Sequence, residues 1–423
     1  MVLERNATQR VRELLSGFRL VVLGGARQTG KSTLVRDLLG LPADAQFSFD
    51  DEALLRRAVV DPVGFVDVLP RPAAVDEFQR AGRGFLLAVK QAADLDAARG
   101  QLLLTGSANY LADRTISETL AGRAGRLTLW PLSRGERHGV RETFVDHLFH
   151  AGSWPAPAAS PPARAELVEW ILEGNYPEIV TQELRGRRRR SWFDAYTADV
   201  VSRESLRPMA DVRLENELRA VLRLLAARTA GELVVSEVAA DAELSRGTTA
   251  DYIGLLEALY LVIRLPGWAS SVTTRAKRRP KVLVVDTGLA ADLCGVGEAD
   301  FGPRADGKVA GALFETFVLS EVLKQIGWSE RAVDLYHFRD RHGAEIDLIV
   351  SDRRTGELAG VEVKLTATPT QHHARTLATF AERLGQRFTV GLVVHAGRHT
   401  LPLGERLWAV PISALWRSDP PPG

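Results

Sequence analysis

The stretch Gly25-Ala26-Arg27-Gln28-Thr29-Gly30-Lys31-Ser32 decides the fold of the first part of this chain. It matches the pattern G-x-x-x-x-G-K-[ST] at every fixed position, follows an apolar run and opens a helix with Ser32 and Thr33. Glycines let backbone N–H groups turn toward phosphate oxygens, and the start of a helix adds partial positive charge. The alternative is a glycine-rich turn without a ligand. We expect residues 25–33 to bind nucleotide phosphates, with Lys31 at the β- and γ-phosphates and Ser32 on Mg²⁺.

Short apolar runs alternate with helical patterns around this loop, up to about residue 150. Strands are predicted at residues 19–25, 46–49, 73–75, 101–104 and 127–130, and a helix at 85–93. Such alternation indicates a parallel sheet covered by helices, which is an α/β fold of the RecA or AAA type when it carries this loop.

Two acidic residues, Asp76 and Glu77, end the third predicted strand. An aspartate here holds Mg²⁺ through water, and the following glutamate polarises the attacking water. Ser107 ends the next strand and is suited to sensing the γ-phosphate. Arg123 is a candidate arginine finger, although an exposed structural arginine is an equal alternative because the chain has 47 arginines.

Composition narrows the class of protein. The chain has 423 residues, 45% of them apolar and 25% charged, with a formal net charge of +1. One cysteine excludes an internal disulfide and a cysteine-based metal cage. No apolar run is long enough to cross a bilayer, and the N-terminus lacks the apolar core of a secretion signal. We expect a cytoplasmic protein without a membrane segment. Only seven cations are lysines, so a lysine at a motif position is informative.

Four segments are expected. Residues 1–150 form the phosphate-binding domain, and the Pro- and Ala-rich residues 151–163 form a linker that packs no core. Residues 164–270 form a helical and winged-helix domain. Residues 271–423 form a second α/β domain.

The middle segment shows three helical stretches, at residues 214–228, 236–242 and 245–259, with Ser236 and Ser245 as N-caps. An apolar run follows, and three helices before a β-wing are a winged-helix pattern. Such a module either binds DNA through its third helix or serves as a lid or docking surface. The basic run 187–190 either tracks phosphates or is a solvated helix face.

Charged residues alternate with aliphatic ones near the C-terminus. In residues 345–350 and 360–365 the alternation places Glu345 with Asp347, and Glu362 with Lys364, on one face of adjacent strands. Asp347 and Glu362 could bind a divalent ion that activates water against a phosphodiester, with Lys364 positioning the water and Glu315 completing the cluster from a helix. This order resembles the PD-(D/E)xK nuclease superfamily. The alternatives are a half-exposed strand with mixed charges, or a nuclease fold without its chemistry.

A family resemblance covers nearly the whole chain. The strings GGARQTGKSTL, VDEFQR, LLLTGSAN, LAGRAGR, LWPLSRGE, GNYPEIV and RPKVLVVDTGLAADL resemble prokaryotic AAA-like P-loop ATPases whose C-terminal region is a domain of unknown function with a restriction-endonuclease-like appearance. The resemblance implies ATP and Mg²⁺ as cofactors, an additional strand in the sheet, water activation by Glu77, and assembly into a homo-oligomer.

Two hypotheses follow for the whole chain. The first is an ATPase that engages DNA and cleaves it through the C-terminal cluster. The second is an ATP-driven switch whose C-terminal domain only binds nucleic acid or a protein partner.

Overall fold

A computed structural model describes residues 2–108, 120–150, 154, 160–202, 215–275 and 278–416. Within these ranges the chain forms two sheets of five and six strands and a two-stranded ribbon, with helices around them. No helix in these ranges is long and apolar enough to span a membrane.

The N-terminal sheet is parallel throughout and has the order β2-β3-β4-β1-β5. Its strands are β1 (Leu20–Gly24), β2 (Gln46–Ser48), β3 (Ala73–Asp76), β4 (Leu102–Gly106) and β5 (Ala124–Thr128). Strand β4 separates β1 from β3, which is the additional strand that the resemblance implies. The fifth strand begins earlier than residue 127, because Ala124 already pairs with Leu20.

Helices cover both faces of this sheet. They are α1 (Ala7–Gly17), α2 (Lys31–Thr33, continued by a π-helix over Leu34–Leu38), α3 (Glu52–Val60), α4 (Pro62–Asp67) and α5 (Gly82–Leu95). Asp51 and Asp61 accept backbone N–H groups at the starts of α3 and α4, as aspartate N-caps do. In the core beneath the sheet, Phe85 packs edge to face with Phe49 and Phe65, and the last two rings are tilted against each other.

Two short helices, α6 (Arg134–Arg137) and α7 (Phe144–His147), lead to the predicted linker. The expectation that residues 151–163 pack no core is wrong at Trp154 and Pro162, which are buried. The Trp154 ring lies edge-on to Phe144 at 5.5 Å and to His147 at 4.9 Å, so an aromatic side chain anchors the segment. Residues 151–153 and 155–159 lie outside the described residues.

The middle domain is helical. It contains α8 (Arg164–Glu173), α9 (Pro177–Thr181), α10 (Gly186–Val200), α11 (Glu215–Ala227), α12 (Val235–Asp241) and α13 (Arg246–Ala258). Ser245 caps α13 by accepting the N–H of Thr248, as predicted, whereas α12 begins one residue earlier than Ser236 and its cap position is Val234. Strand β6 (Val262–Leu265) pairs antiparallel with β7 (Lys281–Val284), and α14 (Val272–Arg275) lies between them.

The C-terminal domain is built on a mixed sheet of order β12-β13-β11-β10-β9-β8. Helices α15 (Thr287–Cys294), α16 (Lys308–Gln325) and α17 (Arg375–Leu384) accompany strands β8 (Val333–Arg339), β9 (Glu345–Asp352), β10 (Leu358–Lys364), β11 (Phe388–His395), β12 (Leu401–Gly404) and β13 (Leu407–Pro411). The predicted strands at 345–350 and 360–365 are therefore present, as β9 and β10. Aliphatic residues of β9, β10 and β11 pack against α16 in the largest core.

Candidate functional site

The phosphate loop lies at the carboxyl end of β1 and requires its glycines. Gly25 has φ +153°, and a Cβ there would come within 2.3 Å of the Leu129 carbonyl oxygen. Gly30, the residue before Lys31, is left-handed at φ +92°. Thr29 is fully buried and donates its hydroxyl to the Ala26 carbonyl at 3.0 Å. The loop is therefore tightly curved, with its backbone wrapped around a central space.

Lys31 points into that space. Its Nζ donates to the carbonyl oxygens of Gly25 and Ala26, both at 2.8 Å, and the side chain is 6% exposed. Burial lowers the pKa of Lys31 to about 8, against the opposing effect of Glu77 and Asp76. Because the ammonium now bonds only neutral carbonyls, a bound phosphate would give it a stronger, charged partner.

A magnesium position is formed by Ser32 and Asp76. The Ser32 hydroxyl donates to Asp76 Oδ2 at 2.8 Å, and Thr105 donates to the other carboxylate oxygen. A hydroxyl and a carboxylate in contact at the rim of a phosphate loop suit a hard cation shared with nucleotide phosphates. Both predicted magnesium residues therefore lie together and fit the ion.

Two neighbouring side chains donate hydrogen bonds to the carboxylate of Glu77. It has a left-handed backbone, φ +50°, and its Oε2 accepts from Ser107 Oγ at 2.9 Å and from the Gln79 amide. Ser107 was predicted as a sensor of the γ-phosphate, and here it contacts the glutamate expected to activate water. Gln79 carries no motif signal of its own, although it lies within the quoted string VDEFQR.

These residues surround a cavity of about 760 Å³. Arg27, Gln28, Gly30, Lys31, Ser32, Thr33, Asp76 and Glu77 all line it, whereas Gly25, Ala26 and Thr29 form the inner side of the loop. Helix α9 closes the cavity with Pro177, Glu178 and Thr181. The string GNYPEIV, quoted above only for resemblance, thus borders the phosphate site. Asp286 fixes this string by accepting the N–H of Asn175 at 2.7 Å.

Arg5 lines the same cavity and holds the phosphate loop, and no sequence signal marked it. Its buried guanidinium donates to the carbonyl oxygens of Thr29 at 2.6 Å and Trp130 at 2.7 Å. It also pairs with the buried carboxylate of Glu136 at 3.0 Å. This arginine therefore ties the loop to the string LWPLSRGE.

Arg123 lies at the wrong edge of the sheet to serve its own phosphate site. It precedes Ala124, which pairs with the first residue of β1, whereas the phosphate loop follows the last. Its guanidinium pairs with Asp94, with an Nη2–Oδ2 distance of 3.1 Å. Within one chain the arginine-finger expectation is wrong, and the structural-arginine alternative describes it.

The basic run in α10 is largely a solvated face. Arg187, Arg188 and Arg190 are exposed, and Arg189 pairs with Glu169 at 3.0 Å. Trp192, which follows the run, stacks on Tyr196 with 5.1 Å between ring centroids. The tryptophan thus packs against the protein, which favours the solvated-face alternative.

The C-terminal carboxylates converge on a lysine that the sequence analysis left unassigned. Lys281, at the start of β7, places its Nζ 2.6 Å from Glu315, 2.7 Å from Glu345 and 3.2 Å from Asp347. Only 1% of this lysine is exposed. Burial alone would lower the pKa of Lys281, but the three carboxylates outweigh burial and hold that pKa above its ordinary value.

Glu362 and Lys364 extend this cluster as predicted. They pair at 2.6 Å, and Lys364 lies 4.0 Å from Asp347. Asp347 Oδ2 also accepts the N–H of Val363 at 2.8 Å. Burial raises the pKa of Glu315 and of Glu362, and the Asp347 charge raises both further. All four residues proposed for a nuclease therefore come together.

A divalent ion does not fit this cluster as it stands, because ammonium groups already occupy both expected ligands: Lys281 contacts Asp347, and Lys364 contacts Glu362. Within the described part of the chain, no group of three His, Cys, Asp or Glu side chains is arranged to hold a metal. Asp347 and Glu362 were expected to be metal ligands, and here each instead pairs with lysine.

Comparisons with known proteins match three consecutive parts of the chain. A family model described as AAA domain matches residues 17–138, and two described as domains of unknown function, DUF8612 and DUF4143, match residues 164–300 and 310–415. Residues 17–138 are therefore an AAA-like P-loop domain.

Two curated relatives are "Uncharacterized protein Mb2031c" of Mycobacterium bovis and "Uncharacterized protein Rv2008c" of Mycobacterium tuberculosis. Each is 26% identical over 420 residues, which cover 98% of this chain and 85% of the relative. A solved structure titled as the Walker-type ATPase PABY2304 of Pyrococcus abyssi aligns with 69% of this chain and 96% of its own, at 15% identity and a TM-score of 0.44.

Proposed function

We propose that this chain is a magnesium-dependent ATPase whose nucleotide binds in the cavity around Lys31. One observation carries the proposal: the Ser32 hydroxyl and the Asp76 carboxylate are in contact beside the buried ammonium. Lys31 would turn from its two carbonyl partners to the β- and γ-phosphates. Ser32 and Asp76 would hold Mg²⁺, which offsets the phosphate charge when bound.

Glu77 is the residue that we propose activates water. Ser107 and Gln79 both donate to Oε2 of this carboxylate, so in this state that oxygen is occupied by protein donors and would have to be freed before it could accept a proton from water. A γ-phosphate that draws Ser107 toward itself would release Glu77. The hydrogen bond between Ser107 and Glu77 would therefore delay hydrolysis until ATP is bound.

The test is Glu77→Gln, with the exposed Glu13→Gln as a matched control. We expect Glu77→Gln to bind ATP normally and to release phosphate on the order of 10²–10⁴ times more slowly, the usual contribution of a general base. Turnover within about twofold of the parent would overturn the role of Glu77. Lost ATP binding in Lys31→Met but not in Lys308→Met would support the site itself.

We further propose that the C-terminal domain binds rather than cleaves its partner, because Lys281 pairs with Asp347 and Lys364 pairs with Glu362, the two carboxylates that a nuclease would need for metal. The test incubates the parent with Mg²⁺ or Mn²⁺ and with single-stranded, double-stranded and branched DNA. Cleavage that disappears in Asp347→Ala would restore the nuclease hypothesis. No cleavage above that control supports the switch.

DNA is the partner that we propose for the switch. Three helices, α11 to α13, followed by the antiparallel pair β6 and β7 support the winged-helix interpretation, with α13 as the reading helix. Oligonucleotide-dependent ATP turnover in the 423-residue chain is the readout. Light scattering with and without ATP tests the homo-oligomer in which Arg123 would serve a neighbour, and a monomer in both states would exclude it.

A further inference from the structure

A second cavity, of about 650 Å³, lies between the N-terminal and C-terminal domains. We call it the arginine cleft, after six lining residues: Arg10, Arg126 and Arg141 on the N-terminal wall and Arg331, Arg353 and Arg354 on the C-terminal wall. Arginine is about a ninth of the chain and a third of this lining, which also includes Glu13 and Glu330. The excess of positive charge is therefore local to the cleft.

At least three of these arginines have carboxylate partners. Arg10 pairs with Glu13 at 3.0 Å, Arg331 with Asp352 at 3.0 Å, and Arg353 with Asp334 at 2.7 Å.

Arg141 and Arg354 are different. Both are exposed, one on each wall, and among the described residues no carboxylate contacts either guanidinium. Arg141 only donates to the Trp328 carbonyl, at 3.4 Å. The backbone N–H of Arg354 donates to Asp352 at 2.7 Å, which fixes the turn that carries it. Two cations thus face solvent across the cleft with their charge uncompensated.

We propose that the arginine cleft binds the phosphodiester backbone of single-stranded nucleic acid. Guanidinium forks match phosphate oxygens in pairs, better than a compact ammonium does. Cations on two walls suit a polymer with repeated charges, and a flexible single strand can follow a positively charged groove with its phosphates. The proposal rests on the nucleic-acid part of the proposed function and adds where the strand lies.

The cleft is connected to the phosphate loop. Trp130 lines the cleft, and its carbonyl accepts from Arg5, which also donates to Thr29 in the loop. The residue before it, Leu129, donates its N–H to Gly24 at 2.7 Å. A strand bound in the cleft would therefore contact the segment that fixes the loop, so nucleic-acid binding and ATP affinity should be coupled in both directions.

The experiment measures binding of a short labelled single strand to the full chain by fluorescence anisotropy over a range of salt. The cleft variant is Arg141→Ser/Arg354→Ser. Arg56→Ser/Arg57→Ser is the matched control, because both arginines are exposed on α3, outside the cleft lining. We expect the cleft variant alone to raise Kd on the order of tenfold and to reduce the salt slope by about 1.5, since each lost phosphate contact to a single strand removes about 0.7.

Competitors and other variants identify the ligand and the place. Inorganic polyphosphate should displace the strand, and polyglutamate of equal charge should not; equal displacement would overturn the assignment to phosphate. A duplex that binds as tightly as the single strand would overturn the single-strand assignment. Thermal unfolding checks that both double variants fold, as exposed substitutions should.

Failure of the proposed function and failure of the cleft proposal give different results. A parent chain that binds no nucleic acid overturns the DNA part of the proposed function. A parent that binds, with an unchanged cleft variant, overturns only the cleft. In that case Arg187→Ser/Arg188→Ser tells whether the strand lies along α10 instead.

Discussion

Lys281→Met is the sharpest test of how the C-terminal cluster is held together. The substitution keeps a long, flexible side chain but removes the ammonium that lies within 3.2 Å of Glu315, Glu345 and Asp347. Removing one partner of a buried ion pair costs about 3–5 kcal/mol, because the remaining charge loses its compensation without regaining water. We expect a loss of about that size in the free energy of unfolding at pH 8.

The loss should depend on pH in a defined direction. Without the ammonium, the folded-state pKa of Glu315 rises further above its unfolded value. A carboxyl whose folded pKa is raised destabilises the fold increasingly as pH climbs from the unfolded to the folded pKa. The difference between Lys281→Met and the parent should therefore shrink as pH falls toward about 4, the ordinary pKa of glutamate.

Urea unfolding followed by tryptophan fluorescence measures both effects. Lys308→Met is the control, since Lys308 is exposed at the start of α16, the helix that carries Glu315. The second substitution Asp347→Asn should recover about 1–3 kcal/mol in the Lys281→Met background, because it removes one uncompensated charge and keeps an oxygen for the Val363 N–H.

Divalent ions test in a second way whether Lys281 takes the place of a metal in the cluster. Mn²⁺ should leave the unfolding midpoint of the parent unchanged and raise that of Lys281→Met, whose freed carboxylates could take the ion. A loss below about 1 kcal/mol in Lys281→Met, the level of an exposed pair, would refute the internal-cation argument. The same argument would be refuted if Mn²⁺ stabilised the parent and did not stabilise Lys281→Met.

Two further perturbations concern the phosphate loop. Because the pKa of Lys31 is about 8 in the free protein, ATP binding should take up protons near and above that pH, and ATP affinity should fall as pH rises. Titration calorimetry in buffers of different ionisation enthalpy measures the proton uptake. Equal binding heats in all buffers would contradict the expectation. Arg5→Met should cost about 3–5 kcal/mol in unfolding and weaken ATP binding, since it leaves buried Glu136 unpaired and frees the Thr29 carbonyl; an unaltered ATP affinity would separate Arg5 from the loop.

The phosphate site was predictable because its chemistry is local. The residues from Gly25 to Ser32 are contiguous, and the strand before them and the helix after them fix their geometry. Asp76 was predictable for a related reason, since parallel strands bring their carboxyl ends to one edge. Helix α9 was not, because its place above the cavity depends on the buried contact between Asp286 and Asn175, residues 111 positions apart.

The C-terminal cluster was also predictable only in part. Period-two alternation correctly placed Glu345 with Asp347 and Glu362 with Lys364, because strand geometry alone decides which side chains share a face. Lys281 reaches them through the pairing of β7 with β6 and a single bridge to Glu232, and neither contact leaves a periodic signal. The sequence pattern could predict that these acidic side chains lie close together, but only the tertiary structure could show which cation neutralises them.

Composition nevertheless contained a clue to Lys281. The chain uses 47 arginines and seven lysines, and the two at motif positions were singled out for that reason. Lys281 and Lys324 are also almost fully buried, each against carboxylates. Three carboxylates that converge on one nitrogen need a compact ammonium, since a planar guanidinium spreads its donors outward. In a chain that otherwise prefers arginine, a retained lysine therefore marks a point where charge must be concentrated, at Lys281 no less than at Lys31.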